Sequence, residues 1–293
     1  MSTLDIEPLS ELTRVSSVMK HSKKKKSKAK NDNILNAKNN KAADPAAQCP
    51  IVMLRGFGRG QHHWSGFKSE LQKAFPKRDI ILIDLPGNGA LSHLTSPNNI
   101  KVATDSITTQ LELQGVNAPC DFIGLSLGGM IALYMMENTA WVRRACVINT
   151  SVNALSLPMG RMKPMALIGL IYSRLLPTQL QEKLMWQLTV SQPIDKAILK
   201  NWVNVAMVNK VTLNNLWRQS SIARSYNKKP ILGQRHKELL ILSSKHDNIV
   251  NARCSIKLAK HTNAQHKTHK SAGHDLPLDD PQWVASCTYQ FFR

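Results

Sequence analysis

From Cys49 onward, short apolar runs alternate with longer amphipathic stretches. The runs are apolar throughout rather than at every second residue, which is typical of strands that helices cover on both faces, as in a parallel sheet. They span residues 51–54, 80–83, 121–123, 145–148 and 239–242, with a weaker, polar run at 265–270. We therefore expect an α/β fold whose mostly parallel sheet of about six strands is flanked by helices.

The interval between the fourth and fifth runs, residues 152–237, is too long for a single crossover and is rich in helical patterning. It predicts an inserted helical lid, with residues 49–151 and 238–293 forming the two parts of the core. Most of its Met, Leu and Trp side chains should pack the lid against the core. The others should line a substrate pocket, because ligand pockets are mainly apolar and aromatic.

Residues 1–48 have a different composition. Nine lysines lie between Lys20 and Lys41, where Asp32 is the only acid. Such a segment cannot bury enough apolar surface to offset the entropy of ordering. We expect a basic, disordered tail, although the leucine and valine spacing over residues 4–18 is compatible with a short helix.

The chain carries 39 Lys and Arg against 19 Asp and Glu, a net charge of +20. Such a surface attracts polyanions, which include nucleic acid, anionic lipid and acidic proteins, but a large net charge can also serve solubility alone. No apolar run reaches the roughly 20 residues that a membrane-spanning helix needs. The sequence shows no secretory signal, and its five cysteines have no paired or metal-binding spacing. We therefore expect free thiols, no metal and a cytoplasmic location.

The most specific motif is Gly-Leu-Ser-Leu-Gly-Gly at residues 124–129, between a strand-like run and an apolar helical stretch. A nucleophilic serine requires this context, because a tight turn from strand to helix exposes its hydroxyl and the glycines allow close backbone approach. The helix N-terminus behind the serine also favours developing negative charge. Ser126 is therefore the candidate nucleophile.

Enzymes with this motif carry their acid and base after the serine, in the order Ser, Asp or Glu, His. The loop after the fifth run contains Asp247, and no Asp or Glu lies between Glu137 and Glu182 to compete with it from the preceding loop. Near the C-terminus, His274 follows a glycine on the loop after the last run. We expect His274 to be the general base and Asp247 to orient it.

The oxyanion formed by attack on a carbonyl needs two backbone N–H donors. One is expected from Leu127, the residue after the nucleophile, and the other from Phe57 on the loop after the first run. Arg55, Gly56 and Gly58 complete this loop and are candidates for shaping it or for contacting substrate.

Together, the Arg-Gly-Phe-Gly loop at 55–58, the segment Ile-Asp-Leu-Pro-Gly-Asn-Gly at 83–89, the serine motif, Asp247 and His274 resemble the α/β-hydrolase superfamily, in its small lidded bacterial esterase-like branch. The resemblance covers residues 50–292. It implies the α/β-hydrolase fold and a Ser126, Asp247, His274 apparatus that uses no cofactor. It does not imply a substrate, because the family includes carboxylesterases, lipases, peptidases and pimeloyl-carrier-protein methyl esterases.

The sequence departs from this family in two ways. Arg55 stands where the first loop usually has histidine, and its guanidinium could orient the loop or hold an anionic substrate group. No leading antiparallel hairpin is evident, which is why the expected sheet has about six strands.

The sequence thus predicts a serine hydrolase that cleaves a small-molecule carboxylic ester or thioester through an acyl-enzyme. Within residues 152–237, thirteen Lys and Arg against Glu182 and Asp195 favour an acidic carrier protein or an anionic surface as a partner, rather than nucleic acid. Two alternatives stay open. One is a non-catalytic binding protein on a hydrolase scaffold, and the other is a lyase or perhydrolase that uses the same three residues.

Overall fold

A single parallel sheet organises the computed structural model, which describes residues 49–156 and 158–293. Its strands are β1 (Ile51–Leu54), β2 (Ile80–Ile83), β3 (Cys120–Leu125), β4 (Val142–Ile148), β5 (Leu239–Ser244) and β6 (Gln265–His269). They lie in the order β2-β1-β3-β4-β5-β6, and every neighbouring pair is parallel. The predicted six-stranded parallel sheet is confirmed. The predictions for residues 1–48 lie outside the described residues.

Helices cover both faces of the sheet. Outside the interval between β4 and β5 they are α1 (Phe67–Ala74), α2 (Ile100–Leu113), α3 (Leu127–Asn138), α9 (Arg253–Thr262), α10 (Leu276–Asp279) and α11 (Pro281–Phe292). Alternate residues of β1 enter opposite cores: Val52 and Leu54 pack with α2 and α3, whereas Ile51 and Met53 pack with α1 and α11. This two-sided burial explains why the strands are apolar throughout.

The interval between β4 and β5 is helical. It contains α4 (Pro158–Arg161), α5 (Pro164–Ser173), α6 (Thr178–Thr189), α7 (Lys196–Val208) and α8 (Leu213–Ser225). We call residues 152–237 the helical insertion. Trp186 of α6 and Trp202 of α7 pack together within it, with ring centroids 5.2 Å apart. In the described part of the chain, no helix is long and apolar enough to cross a bilayer.

The strand order reverses at β1, which has β2 on one side and β3 on the other. In open α/β sheets, ligands bind outside the carboxyl ends of the strands at such a reversal. The loop after β1 begins at Arg55, and the turn after β3 consists of Ser126 alone. The sheet therefore brings these two segments together at one edge.

Candidate active site

Ser126 is the single residue between β3 and α3, and its backbone is strained. Its φ of 56° and ψ of −114° lie in a region that residues with a side chain rarely adopt. Two hydrogen bonds hold the turn: the Ser126 amide donates to the Ile148 carbonyl at 2.8 Å, and the Thr150 hydroxyl donates to the Ser126 carbonyl at 2.8 Å. The tight turn that the motif predicts is present.

The motif glycines are required by close backbone contacts. A Cβ at Gly124 would lie 2.5 Å from the carbonyl oxygen of Gly128, and a Cβ at Gly128 would lie 2.3 Å from the carbonyl oxygen of Leu54. Both distances are shorter than any real Cβ contact. The turn can therefore reach this conformation only with glycine on each side of the serine.

Asp247 and His274 form a direct hydrogen bond. His274 Nδ1 lies 2.7 Å from Asp247 Oδ2, and both residues are buried. The other carboxylate oxygen of Asp247 accepts the backbone N–H groups of Ile249 and Val250 at 2.7 and 2.8 Å. These two bonds fix the carboxylate, so the aspartate holds the imidazole in one orientation.

The structure does not join the serine to the histidine in the same way. Among the hydrogen bonds of the described residues, none connects the Ser126 hydroxyl to His274. The end of β4 links the two segments instead, through Ile148 and Asn149, the residue after the strand. The Ser126 amide bonds to the neighbouring Ile148, while the Asn149 side-chain amide donates to the His274 carbonyl at 2.8 Å.

Asn149 is a site residue that the sequence did not reveal. It has a positive φ of 47°. Its Oδ1 accepts the Ser244 amide at 2.8 Å, and its Nδ2 donates to the Gly273 and His274 carbonyls. One side chain thus connects the ends of β4 and β5 with the histidine loop, and nothing in its local sequence marks this role.

The two candidate oxyanion donors lie on the segments that meet at the sheet edge. Gly56 lies so close to the serine that an added Cβ would be 3.2 Å from Ser126 Cβ. The next amide is that of Phe57, whereas the Gly58 amide is already engaged, donating to Gln219 Oε1 at 2.8 Å. Leu127 is the first residue of α3, where a helical N–H has no acceptor within the helix.

Arg55 is committed to an ion pair. Its two terminal nitrogens donate to the Asp275 carboxylate at 3.0 and 2.5 Å, and its guanidinium stacks on Trp64 at 4.8 Å. Of the two roles that the sequence allowed, orienting the loop agrees with these contacts, and holding an anionic substrate group does not.

A second carboxylate anchors the histidine loop to the helical insertion. Asp279 accepts the Gly273 amide at 2.6 Å and the amides of Ser191 and Gln192, just beyond α6, at 2.9 Å each. Burial raises the pKa of Asp279, and these three N–H groups oppose that rise. The end of α6 therefore packs directly on the loop that carries His274.

A cavity of about 390 Å³ opens beside the candidate oxyanion loop. Phe57, Gly58, Arg59 and Gly60 form one wall, and residues of α5, α6 and α7, together with residues 209–213, form the others. Within the described residues, no group of three or more His, Cys, Asp or Glu is arranged to hold a metal ion.

Known proteins resemble this chain in sequence and in fold. The pimeloyl-[acyl-carrier protein] methyl ester esterase of Neisseria meningitidis serogroup B (strain H44/76) is 32% identical over 91 residues, 31% of this chain and 32% of that protein. The match thus spans about a third of the relative's length. Relatives with the same description from other strains of that species match over the same length.

Solved structures share the fold at low identity. An esterase (EaEST) from Exiguobacterium antarcticum superimposes with a TM-score of 0.65 at 15% identity, covering 83% of this chain and 91% of that one. A hydrolase from Pseudomonas aeruginosa PA01 gives a TM-score of 0.64 at 16% identity, with 83% and 89% covered. At these identities the likeness shows the fold alone.

The family model for the alpha/beta hydrolase family matches residues 51–286. This range includes all six strands, the helical insertion and the three candidate catalytic residues. The chain belongs to the alpha/beta hydrolase family.

Proposed function

We propose that the chain is a serine hydrolase that cleaves a carboxylic ester or thioester through an acyl-enzyme. The observation that carries the proposal is the 2.7 Å hydrogen bond between His274 Nδ1 and buried Asp247. It occurs in a chain whose only residue between β3 and α3 is a strained serine. A binding protein has no need of this combination.

The geometry supports a distinct chemical role for each of the candidate catalytic residues. Because Nδ1 donates its proton to Asp247, Nε2 is left free to accept the proton of the Ser126 hydroxyl as the oxygen attacks the substrate carbonyl. The Phe57 and Leu127 amides stabilise the oxyanion. His274 then returns the proton to the leaving alcohol or thiol, and a water molecule, activated by the same imidazole, cleaves the acyl-enzyme.

The helical insertion serves as a lid in this proposal. Its helices α5, α6 and α7 form walls of the cavity beside the oxyanion loop. Just beyond α6, the insertion contacts the histidine loop through Asp279. Substrate would enter between these helices and the loop after β1.

Labelling with a fluorophosphonate probe tests the proposal. The wild-type chain should be labelled covalently, and Ser126→Ala should not be labelled while its circular dichroism spectrum stays that of the wild type. A wild-type chain that is folded and resists the probe would overturn the proposal and favour the non-catalytic binding protein. Product analysis of a turned-over ester separates hydrolysis from lyase or perhydrolase chemistry.

We further propose an acidic acyl-carrier protein as the partner that delivers the acyl group. The meningococcal relatives are pimeloyl-[acyl-carrier protein] methyl ester esterases, and the helical insertion is strongly basic. Lys196 and Lys200 are exposed one turn apart on α7. Charge reversal at both should raise KM for a carrier-bound ester but not for a free methyl ester, and high salt should act in the same way. Equal effects on both substrates would refute the carrier.

A cytoplasmic location completes the proposal. The five cysteines are unpaired and buried. Burial raises the pKa of the Cys120 thiol to about 12, so this thiol stays protonated and unreactive at neutral pH. Thiols of this kind are compatible with a reducing compartment.

A further inference from the structure

The cavity beside the oxyanion loop has a strongly positive lining. Arg59, Arg174 and Lys210 contribute three cations, whereas Glu182 is the single acid among its lining residues. The buried imidazole of His63, also in the lining, adds no charge at neutral pH, because burial and the nearby Arg59 hold its pKa well below the usual range. The lining therefore has an excess of two positive charges.

The one acid is already neutralised. Glu182 Oε2 accepts from Arg59 Nη1 at 2.5 Å, and the two side chains are 3% and 11% exposed. Arg59 Nη1 also lies 2.8 Å from His63 Nε2, and the guanidinium stacks on Trp202 at 4.7 Å. The other terminal nitrogen, Nη2, is buried and has no hydrogen-bond partner in the described part of the chain. A buried donor without an acceptor destabilises the folded chain, and a bound acceptor would remove that cost.

Arg174 supplies a second guanidinium without a counter-ion. It lies just after α5 and forms no ion pair with any described residue. Burial and the positive charge of Arg59 lower the pKa of Arg174, and Glu182 opposes that fall. Arg59 and Arg174 line the same cavity, and the one carboxylate in its lining is already paired with Arg59. An anion bound there would therefore be stabilised by charge-assisted hydrogen bonds from the two guanidinium groups.

The rest of the cavity suits a short aliphatic chain. Leu170, Leu176, Met185, Val205 and Leu213 line it, and its volume of about 390 Å³ is near the small end for ligand pockets. Phe57 lines the cavity and follows Gly56, where an added Cβ would lie 3.2 Å from Ser126 Cβ. An acyl chain on Ser126 that passes Phe57 would enter an apolar cavity that also holds the two arginines.

We propose that Arg174, together with Arg59, forms a subsite for a carboxylate at the far end of the acyl group, so that the preferred substrates are esters of acids bearing a second, ionised carboxyl. The inference rests on the proposed ester hydrolysis and specifies the class of acid. Arg174 is the specificity-determining residue. Arg59 also supports the fold through Glu182, so Arg174 is the residue to change.

Two methyl esters of equal chain length provide the test: monomethyl adipate, which carries a terminal carboxylate, and methyl hexanoate, which ends in a methyl group. Methanol release gives kcat/KM for each. The wild-type chain should prefer monomethyl adipate by about tenfold or more, the size expected of one charge-assisted hydrogen bond. Arg174→Gln should abolish the preference, and Arg174→Lys should restore part of it.

Lys183 provides the matched control. It is exposed on α6, next to Glu182 in sequence, and does not line the cavity. Lys183→Gln removes the same unit charge and should leave the preference as in the wild type. If Arg174→Gln and Lys183→Gln reduce the preference for monomethyl adipate equally, the effect is one of general surface charge and the proposed subsite is overturned. Equal kcat/KM values for the two esters in the wild type would also overturn it.

Binding to Ser126→Ala keeps the subsite testable without turnover. In calorimetry, monomethyl adipate should bind to the Ser126→Ala variant about tenfold more tightly than to the Ser126→Ala, Arg174→Gln double variant. If this difference in affinity is absent, the proposed subsite is overturned even if the wild type hydrolyses esters. If the difference is present but the wild type turns over neither ester and resists the fluorophosphonate, the subsite stands and the proposed hydrolysis fails.

Discussion

The guanidinium of Arg55 and the carboxylate of Asp275, 220 residues apart, form a buried bidentate ion pair with N–O distances of 3.0 and 2.5 Å. Arg55 precedes the glycine that touches Ser126, and Asp275 follows His274. The pair therefore joins the loop proposed to bind the oxyanion to the loop that carries the proposed base. Each side chain is only 3% exposed.

Removing one partner of this pair should be costly, because it leaves the other charge buried and unpaired. We expect Arg55→Met and Asp275→Asn each to lower the free energy of unfolding by about 3–5 kcal/mol. The double variant should lose clearly less than the sum. Urea unfolding of the four chains gives the coupling energy. Lys101→Met, which breaks an exposed pair with Asp105, should leave the free energy of unfolding almost unchanged, because solvent screens exposed pairs. Additive losses at Arg55 and Asp275 would contradict the coupling.

Asp247→Asn should disable the site without unfolding it. The asparagine oxygen would accept the Ile249 and Val250 amides, as Asp247 Oδ1 does, so the NH₂ group would face His274 Nδ1. The imidazole must then carry its proton on Nε2, where it cannot act as a base. We expect kcat/KM for a p-nitrophenyl ester to fall by about 10⁴, with little change in melting temperature. Full activity in this variant would remove Asp247 from the mechanism.

Three glycine-to-alanine variants should separate chemistry from folding. In Gly56→Ala the new Cβ would lie 3.2 Å from Ser126 Cβ and 3.8 Å from its hydroxyl oxygen, so kcat should fall about tenfold or more through misplacement of the nucleophile. In Gly128→Ala it would meet the Leu54 carbonyl at 2.3 Å, and the chain should lose most of its stability. Gly66→Ala, where nothing lies within 4 Å, is the control for both measurements, which are ester turnover and thermal melting.

His63 should make the stability depend on pH below neutrality. Burial holds its pKa well below 6.5 in the folded chain, whereas the unfolded chain takes up a proton near pH 6.5. The stabilisation from neutral His63 is thus complete above about pH 6.5 and is lost as the pH falls toward the lowered folded value, by up to about 1.4 kcal/mol per pH unit. Urea unfolding between about pH 7.5 and pH 5.5 should show a flatter curve for His63→Gln than for the wild type. Parallel curves would assign the pH dependence to other groups.

The strands that the sequence predicts best are those with purely apolar ends. The predicted run at 51–54 coincides with β1, and the run at 80–83 coincides with β2. The fourth strand begins earlier than predicted, at Val142 rather than residue 145, because it includes Arg143 and Arg144. Their charges are compensated outside the strand: Asp121 on β3 lies 2.6 Å from Arg143 and 3.6 Å from Arg144, and Arg144 also donates to the carbonyls of Phe291 and Phe292. A pairing between strands is not visible in the apolar pattern of either one.

The candidate site also contains some residues that the sequence identifies and others that it does not. Ser126, Asp247 and His274 could be chosen from local sequence, because each follows a predicted strand and their order along the chain is restricted. Asn149, Asp279 and the Arg59–Glu182 pair could not. Each acts through contacts with segments far away in sequence, such as the 123 residues between Arg59 and Glu182, and no local pattern specifies such partners. The role of Arg55 stayed open for the same reason until Asp275 was seen beside it.

The three amides held by Asp279 have a mechanical consequence. One of them belongs to Gly273, next to His274, and two belong to the chain just beyond α6. These bonds tie the end of α6 to the loop that carries His274, so any movement of α6 relative to the sheet would be transmitted to that imidazole.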